Sequence, residues 1–323
     1  MRHHFTRATF LKGLGGFAAL AATPASAQQR PLRLVLPYAP GGVVDTLGRV
    51  VGQGLTETAG VAAVADNRPG AGGMIGTEHV ARAAPDGMTA LIMDPAVVIN
   101  PSLQQNVPYD LFRDLICVSI VSSSPLVVVC ASNQPFQTMQ QLVAAARARP
   151  GQFSFASAGV GTTPHLSGEL LNLRTGIGAQ HVPYRGIAAA LPDVLTGTVP
   201  FTFSSIAGAR GLLADGRLRA LATTGATRPS TLRDVPTMLE QGFADFVVDL
   251  WLGVFVPAAT PAAIVATLQG QLQVALRRAE TATAFERAGA EVRFTSTEEA
   301  QRIVRAEFEM WRTVITTQRI TAG

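Results

Sequence analysis

Short apolar runs and stretches of helical period alternate along most of this chain. LRLVL at 32–36 has strand character, and the glycine-rich turn after it leads into a helix beginning near Val43. The apolar run at 61–65 is a second strand, and the loop DNRPGAGG hands over to a helix across 74–84. TALIM at 89–93 is a third strand, while VVINPSL and PYDLFRDL after it read as a turn-rich connection. Apolar runs at 117–121 and 126–130, parted by SSSP, look like strands leaving one lobe for another. A second series follows: helix 138–148 closed by Pro150-Gly151, strand 153–156, the loop SAGVGTTPH, helix 166–174, a strand in AQHVPY, and helix 187–195 with Pro192 near its middle. A strand from Val199, a helix over 206–213 and a strand from Leu218 complete it. FVVDLWLGVFVP at 246–257 reads as one long strand going back, followed by helix 262–278 opened by Pro261. The last helix, 297–317, starts at Thr297 with acids in its first turn and carries Ile303, Phe308, Trp311 and Ile315 as a core-facing stripe.

Alternation of this kind predicts an α/β chain whose mostly parallel sheets are flanked by helices on both faces. The two crossings divide it into lobe I at 28–127 and 247–323 and lobe II at 128–246, joined by two strands that make a hinge. Two loops stand out. Tyr38, Ala39, Gly41 and Gly42 follow the first strand, and Gly70, Ala71, Gly72 and Gly73 follow the second. Strand, glycine loop and helix start expose backbone N–H groups where the helix terminus adds positive potential. At the ends of neighbouring parallel strands, such loops form one mouth for a small anion. Asp45 is better placed to cap the helix or brace the loop than to touch the anion.

The N-terminus indicates export. Arg2, Arg7 and Lys12 precede an apolar segment, and Ala25-Ser26-Ala27 has the form of a cleavage site, so residues 1–27 read as a signal peptide. TRATFLK resembles a twin-arginine signal with Ala8 in place of the second arginine, which leaves the general secretory route open. Three of the 26 basic residues lie in this leader, leaving 23 against 22 acids. That balance does not suit a nucleic-acid binder, which needs clustered cations. Lys12 is the only lysine, so Schiff-base chemistry and a Walker lysine are excluded from the exported chain. Cys117 and Cys130 sit in apolar runs. An exported protein can join such a pair, although two buried reduced thiols is the simpler reading. His79, His165 and His181 do not fall at metal-ligand spacing, and no metal is expected.

From about Pro31 onward the chain resembles the Bug family of periplasmic solute-binding proteins, the receptors of tripartite tricarboxylate transporters. The resemblance is carried in order by LVLPYAPGGVVD, NRPGAGGMIG, APDGMTALI, NPSLQQNVPYD, ASAGVGTTPHLSGEL, HVPYRG, DVPTMLEQG and WLGVFVPAATP. It implies a two-lobed flytrap fold that captures a small carboxylate in its cleft and delivers it to a membrane permease. Such a receptor is expected to act as a monomer, without cofactor or catalysis. The lobe II loops would contribute Ser157, Gly161, Thr162, Thr163 and His165, then Tyr184 and Arg185, then Ser204 with Ser205. Relatives often carry a polar residue just after the first glycine pair, whereas this chain has Val43, which hints at a less polar ligand body.

Two rival readings are weaker. GAGGMIG imitates a dinucleotide fingerprint, with Asp94 ending the next strand, but the third small residue would have to replace Ile75. A secreted hydrolase using Ser157 and His165 lacks the glycine two residues before the serine, and no carboxylate is obviously placed to orient the histidine.

Overall fold

The computed structural model describes residues 30–322, so the expected leader lies outside the described residues. The first sheet takes strands from both ends of the chain. Its N-terminal part comprises β1 (Leu32–Leu36), α1 (Val43–Ala59), β2 (Ala63–Asn67), α2 (Met74–Ala81), β3 (Thr89–Met93), α3 (Ala96–Leu103), α4 (Leu111–Asp114) and β4 (Leu115–Ser123). The chain then builds the second sheet with β5 (Leu126–Ala131), α5 (Met139–Arg147), β6 (Ser154–Ser157), α6 (Thr163–Thr175), β7 (Gln180–Pro183), α7 (Ile187–Thr196), β8 (Phe201–Ser205), α8 (Ile206–Ala214) and β9 (Leu218–Thr223). It returns through β10 (Leu252–Pro257), α9 (Ala262–Leu276), α10 (Ala279–Arg287), β11 (Glu291–Val292) and α11 (Thr297–Thr317). Strand order is β11-β4-β10-β3-β1-β2 in the first sheet and β7-β6-β8-β5-β9 in the second. This is the expected α/β architecture of two sheet-containing lobes flanked by helices.

Both sheets are mixed rather than mostly parallel. β1 runs parallel to β2 and β3, but β10 lies antiparallel between β3 and β4. In the second sheet β6 is parallel to β7 and β8, while β5 is antiparallel to β8 and β9. The cause is the double crossing: β4 carries the chain out of the first sheet and β10 brings it back, so the two lie in opposite directions.

Other differences are local. The stretch read as a turn-rich connection is helical, as α3 and α4. Asp94 accepts the Ala96 N–H at the start of α3, and Pro101 falls in its last turn, where it removes few bonds. The run 246–257 is a strand only from Leu252, because Asp249 turns aside to bridge Pro125. α6 begins at Thr163, with Thr162 as an extended N-cap and Pro164 in the first turn, where proline is favoured. α10 and β11 were not anticipated.

The crossings are sewn to each other. Asp249 accepts from the Ser124 N–H and the Ser123 hydroxyl, and Thr224 Oγ1 accepts from the Leu126 N–H while donating to the Val248 carbonyl. Cys117 and Cys130 are buried free thiols on β4 and β5, in different sheets. One apolar cluster runs continuously from Met93, Val97 and Trp311 to Phe155, Leu166 and Phe203, joining the inner faces of the two lobes. Within it Trp311 and Ile315 are buried, and Ile303 and Phe308 pack at its margin, so the stripe on α11 faces the core.

Candidate functional site

β1 and β2 are parallel neighbours, so the loops that follow them emerge side by side. In the first loop Gly41 takes a left-handed φ of 93°, and α1 begins after Gly42 with no side-chain cap. Asp45, third residue of α1, accepts the Gly41 N–H at 2.9 Å, Arg49 Nε at 3.0 Å and Asn67 Nδ2 at 2.8 Å. The Arg49 bond leads the causes that hold its carboxyl down at about 2. Asp45 therefore braces the loop from inside, its oxygens committed within the protein.

The second loop is a run of left-handed backbone: Gly70, Ala71, Gly72 and Gly73 have φ of 134°, 48°, 61° and 89°. Ala71 is there despite its Cβ, a strained conformation of the kind that clusters at functional sites. The loop is tied down through its carbonyls. Asn100 Nδ2 donates to Gly72 O and Thr77 Oγ1 to Gly73 O, each at 2.9 Å. Among the described residues, no hydrogen bond within the protein takes the N–H of Gly42, Ala71 or Gly72, and all three residues are exposed. By contrast, the Gly41 N–H is spent on Asp45 and the Gly73 N–H on Gly70 O, so neither is free to donate to an anion.

Lobe II repeats the device. Gly161, left-handed with φ of 77°, donates its N–H at 3.0 Å to Nδ1 of His165, the third residue of α6. Position for position this is the bond between Gly41 and Asp45. Nδ1 must be unprotonated to accept, and burial, helped by His181, lowers the His165 pKa to about 4. His165 stacks on His181 with ring centroids 3.7 Å apart, and burial lowers His181 to about 4 as well. Thr162 Oγ1 donates to Gly159 O at 2.7 Å. Thr163 is buried at the helix start, with no hydrogen bond within the protein to its N–H among the described residues.

Ser157 Oγ pairs at 2.6 Å with His181 Nε2, not with His165, and Ser157 is fully buried. The dyad of the hydrolase reading is therefore not formed, and its nucleophile has no access to a substrate. The remaining expected residues are dispersed around the loops. Tyr38 donates to Asp94 Oδ1 at 2.9 Å, which occupies the acid of the dinucleotide reading. Tyr184 donates to the Asp193 carboxylate, Ser204 to the Ser205 carbonyl, and Ser205 Oγ caps α8 at Gly208. Arg185 is exposed.

The element that sequence reading missed is α3. Asn100 holds the second glycine loop, and one turn later Leu103 lies against the lobe II loop: a Cβ on Gly161 would come within 2.3 Å of Leu103 Cδ2. One helix thus touches both halves of the site. A crevice of about 730 Å³ lies elsewhere, lined by Pro125, Arg210, Leu232, Arg287 and neighbours and by none of the loop residues above. Volume alone does not supply unspent donors, so the loops are the stronger candidate.

Comparison with known proteins identifies the family. A family model described as Tripartite tricarboxylate transporter family receptor matches residues 47–320. The chain is 36% identical over 295 residues to the UPF0065 protein in tcbD-tcbE intergenic region of a Pseudomonas species, covering 91% of this chain and 88% of the relative. It is 33% identical over 309 residues to Protein BugT of Bordetella pertussis, covering 94% and 95%. Among solved structures it resembles an R. palustris protein with adipate, at 32% identity and a TM-score of 0.72 over 91% of this chain and 99% of that one. MatC from Rhodopseudomonas palustris with bound malate matches at 28% identity and a TM-score of 0.68 over 89% and 99%.

Proposed function

The chain belongs to the tripartite tricarboxylate transporter receptor family, the Bug family of periplasmic solute-binding proteins, and we propose that its glycine loops capture a small organic acid by its carboxylate. It is a periplasmic receptor rather than an enzyme. The observation that carries the proposal is the set of exposed, unspent N–H groups of Gly42, Ala71 and Gly72 above two helix starts that have no side-chain cap. Charge-assisted hydrogen bonds contribute roughly 1.5–3 kcal/mol each. Three of them total about 4.5–9 kcal/mol before the costs of docking, so micromolar affinity, which needs about 8 kcal/mol, also draws on burial of the rest of the ligand.

The lobe II loop at 157–163, with Tyr184, Arg185 and Ser204 around it, supplies the opposite wall. The lobes at 28–127 with 247–323 and at 128–246 are the bodies that close on the ligand, and the closed form is what a membrane permease receives. The relatives solved with adipate and malate support an organic acid as the ligand. A thermal-shift screen of the exported protein against mono- and dicarboxylates tests the proposal. A ligand at 100 times its dissociation constant stabilises by about 2.7 kcal/mol, and a screen with no stabilising carboxylate overturns it.

A further inference from the structure

Large apolar side chains are left exposed at six positions among the described residues: Val43, Val64, Ile75, Val160, Leu239 and Val274. Three of the six lie on the loops of the site or in the first turn of the helices that follow them. Val43, 57% exposed, immediately follows Gly42. Ile75, 51% exposed, folds back over the second glycine loop, its Cδ1 within 2.5 Å of where a Cβ on Gly70 would stand. Val160, 49% exposed, sits in lobe II between Gly159 and Gly161, the glycine that abuts Leu103. Three separate segments, drawn from both lobes, thus carry bare apolar surface beside the loops of the site. Isolated exposed aliphatics need no explanation, but a grouping around a polar site does.

Five polar side chains of the same region are already engaged. The Tyr38 hydroxyl is bound to Asp94, Asp45 to its loop, Ser157 to His181, Thr162 to Gly159 O, and Tyr184 to Asp193. A ligand hydroxyl or ammonium entering here exchanges water for groups that have other partners, which is unfavourable. A ligand methylene or ring edge meets Val43, Ile75 and Val160 and leaves water with them, which is favourable.

We infer that the ligand is a carboxylate with an apolar body, an aliphatic or aromatic acid without hydroxyl or amino substituents. This rests on the carboxylate reading above and extends it to the rest of the molecule.

Calorimetric titration of the exported protein with hexanoate, benzoate, malate and aspartate tests the inference. Hexanoate or benzoate binds at least tenfold tighter than malate and aspartate, and Val43→Ser combined with Val160→Ser removes most of that margin while leaving the melting temperature of the free protein unchanged. Malate or aspartate binding tighter than both apolar acids overturns the inference while leaving the carboxylate reading intact. A preference that survives in a folded double variant overturns the role of these side chains. No binding by any of the four acids overturns the carboxylate reading and the inference together.

Discussion

Asp45 and His165 occupy the same position in their helices and hold the same loop N–H, one as an ionised carboxylate and the other as a neutral imidazole. The difference matters in acid. With His165 and His181 both lowered to about 4 from 6.5, the unfolded chain takes up protons before the folded one does. Their contribution to stability is complete above pH 6.5 and is lost as pH falls toward 4. Melting temperature is expected to drop across that window, and His165→Asn, which keeps an acceptor for the Gly161 N–H but does not titrate, should flatten the slope in a pH series of thermal melts. Gly72 offers a second test. A Cβ there meets only the Asn100 amide, at 3.6 and 3.7 Å, and aspartate tolerates the left-handed region, so Gly72→Asp should fold. Like charges about 4 Å apart near a surface repel by about 4 kcal/mol. Carboxylate affinity should therefore fall at least a hundredfold by calorimetry, and unchanged affinity would remove this loop from the site. The bracing role of Asp45 was legible because it follows the glycines in sequence. The partner of Ser157 was not, since His181 reaches it from the neighbouring strand β7, a contact that spacing along the chain does not encode.

At the level of elements, α3 is where local reading and structure part. Pro101 and the polar residues after it suggested turns, yet the helix places Asn100 and Leu103 one turn apart, where one holds the Gly72 carbonyl and the other meets the lobe II loop. Asn100→Leu should leave that carbonyl without its partner, a loss of about 1–3 kcal/mol. The expected result is ligand affinity reduced about tenfold or more in calorimetry, a larger change than any shift in the denaturation midpoint. A loss of stability with affinity intact would make Asn100 a purely structural residue. Most other helices and strands were legible from their apolar periods, down to the identical bounds of β1, β3 and α11. Strand direction was not, because periodicity carries no sense of direction, and the antiparallel β10 follows only from the route of the chain between the lobes.

For the molecule as a whole, the two lobes are expected to close as rigid bodies by bending at Ser124-Pro125 and at the stretch before β10. Solution scattering should show a smaller radius of gyration at saturating ligand, with circular dichroism unchanged. An unaltered scattering curve would count against a hinge. The seam also contains an acid held in its neutral form. Glu307 on α11 accepts from Trp251 Nε1 at 2.8 Å, and burial, against the pull of its hydrogen bonds, pushes its pKa up to about 8 from 4.5. Stability from the protonated acid is complete below pH 4.5 and is lost as pH rises through 8, a cost on the order of 3 kcal/mol at pH 7. Glu307→Gln, which keeps the shape and an acceptor for the indole, should raise the melting temperature most at alkaline pH.

Trp251 and Trp311 are the only two tryptophans in the sequence. Both indoles are fully buried beside this acid and so out of reach of direct ligand contact. The intrinsic emission of the protein is consequently a spectroscopic gauge of the seam rather than of ligand contact. An acid that docks on the loops without swinging the lobes should leave that emission dark to its arrival, while calorimetry registers its heat, and the gap between the two titrations would measure how much of binding is spent on motion.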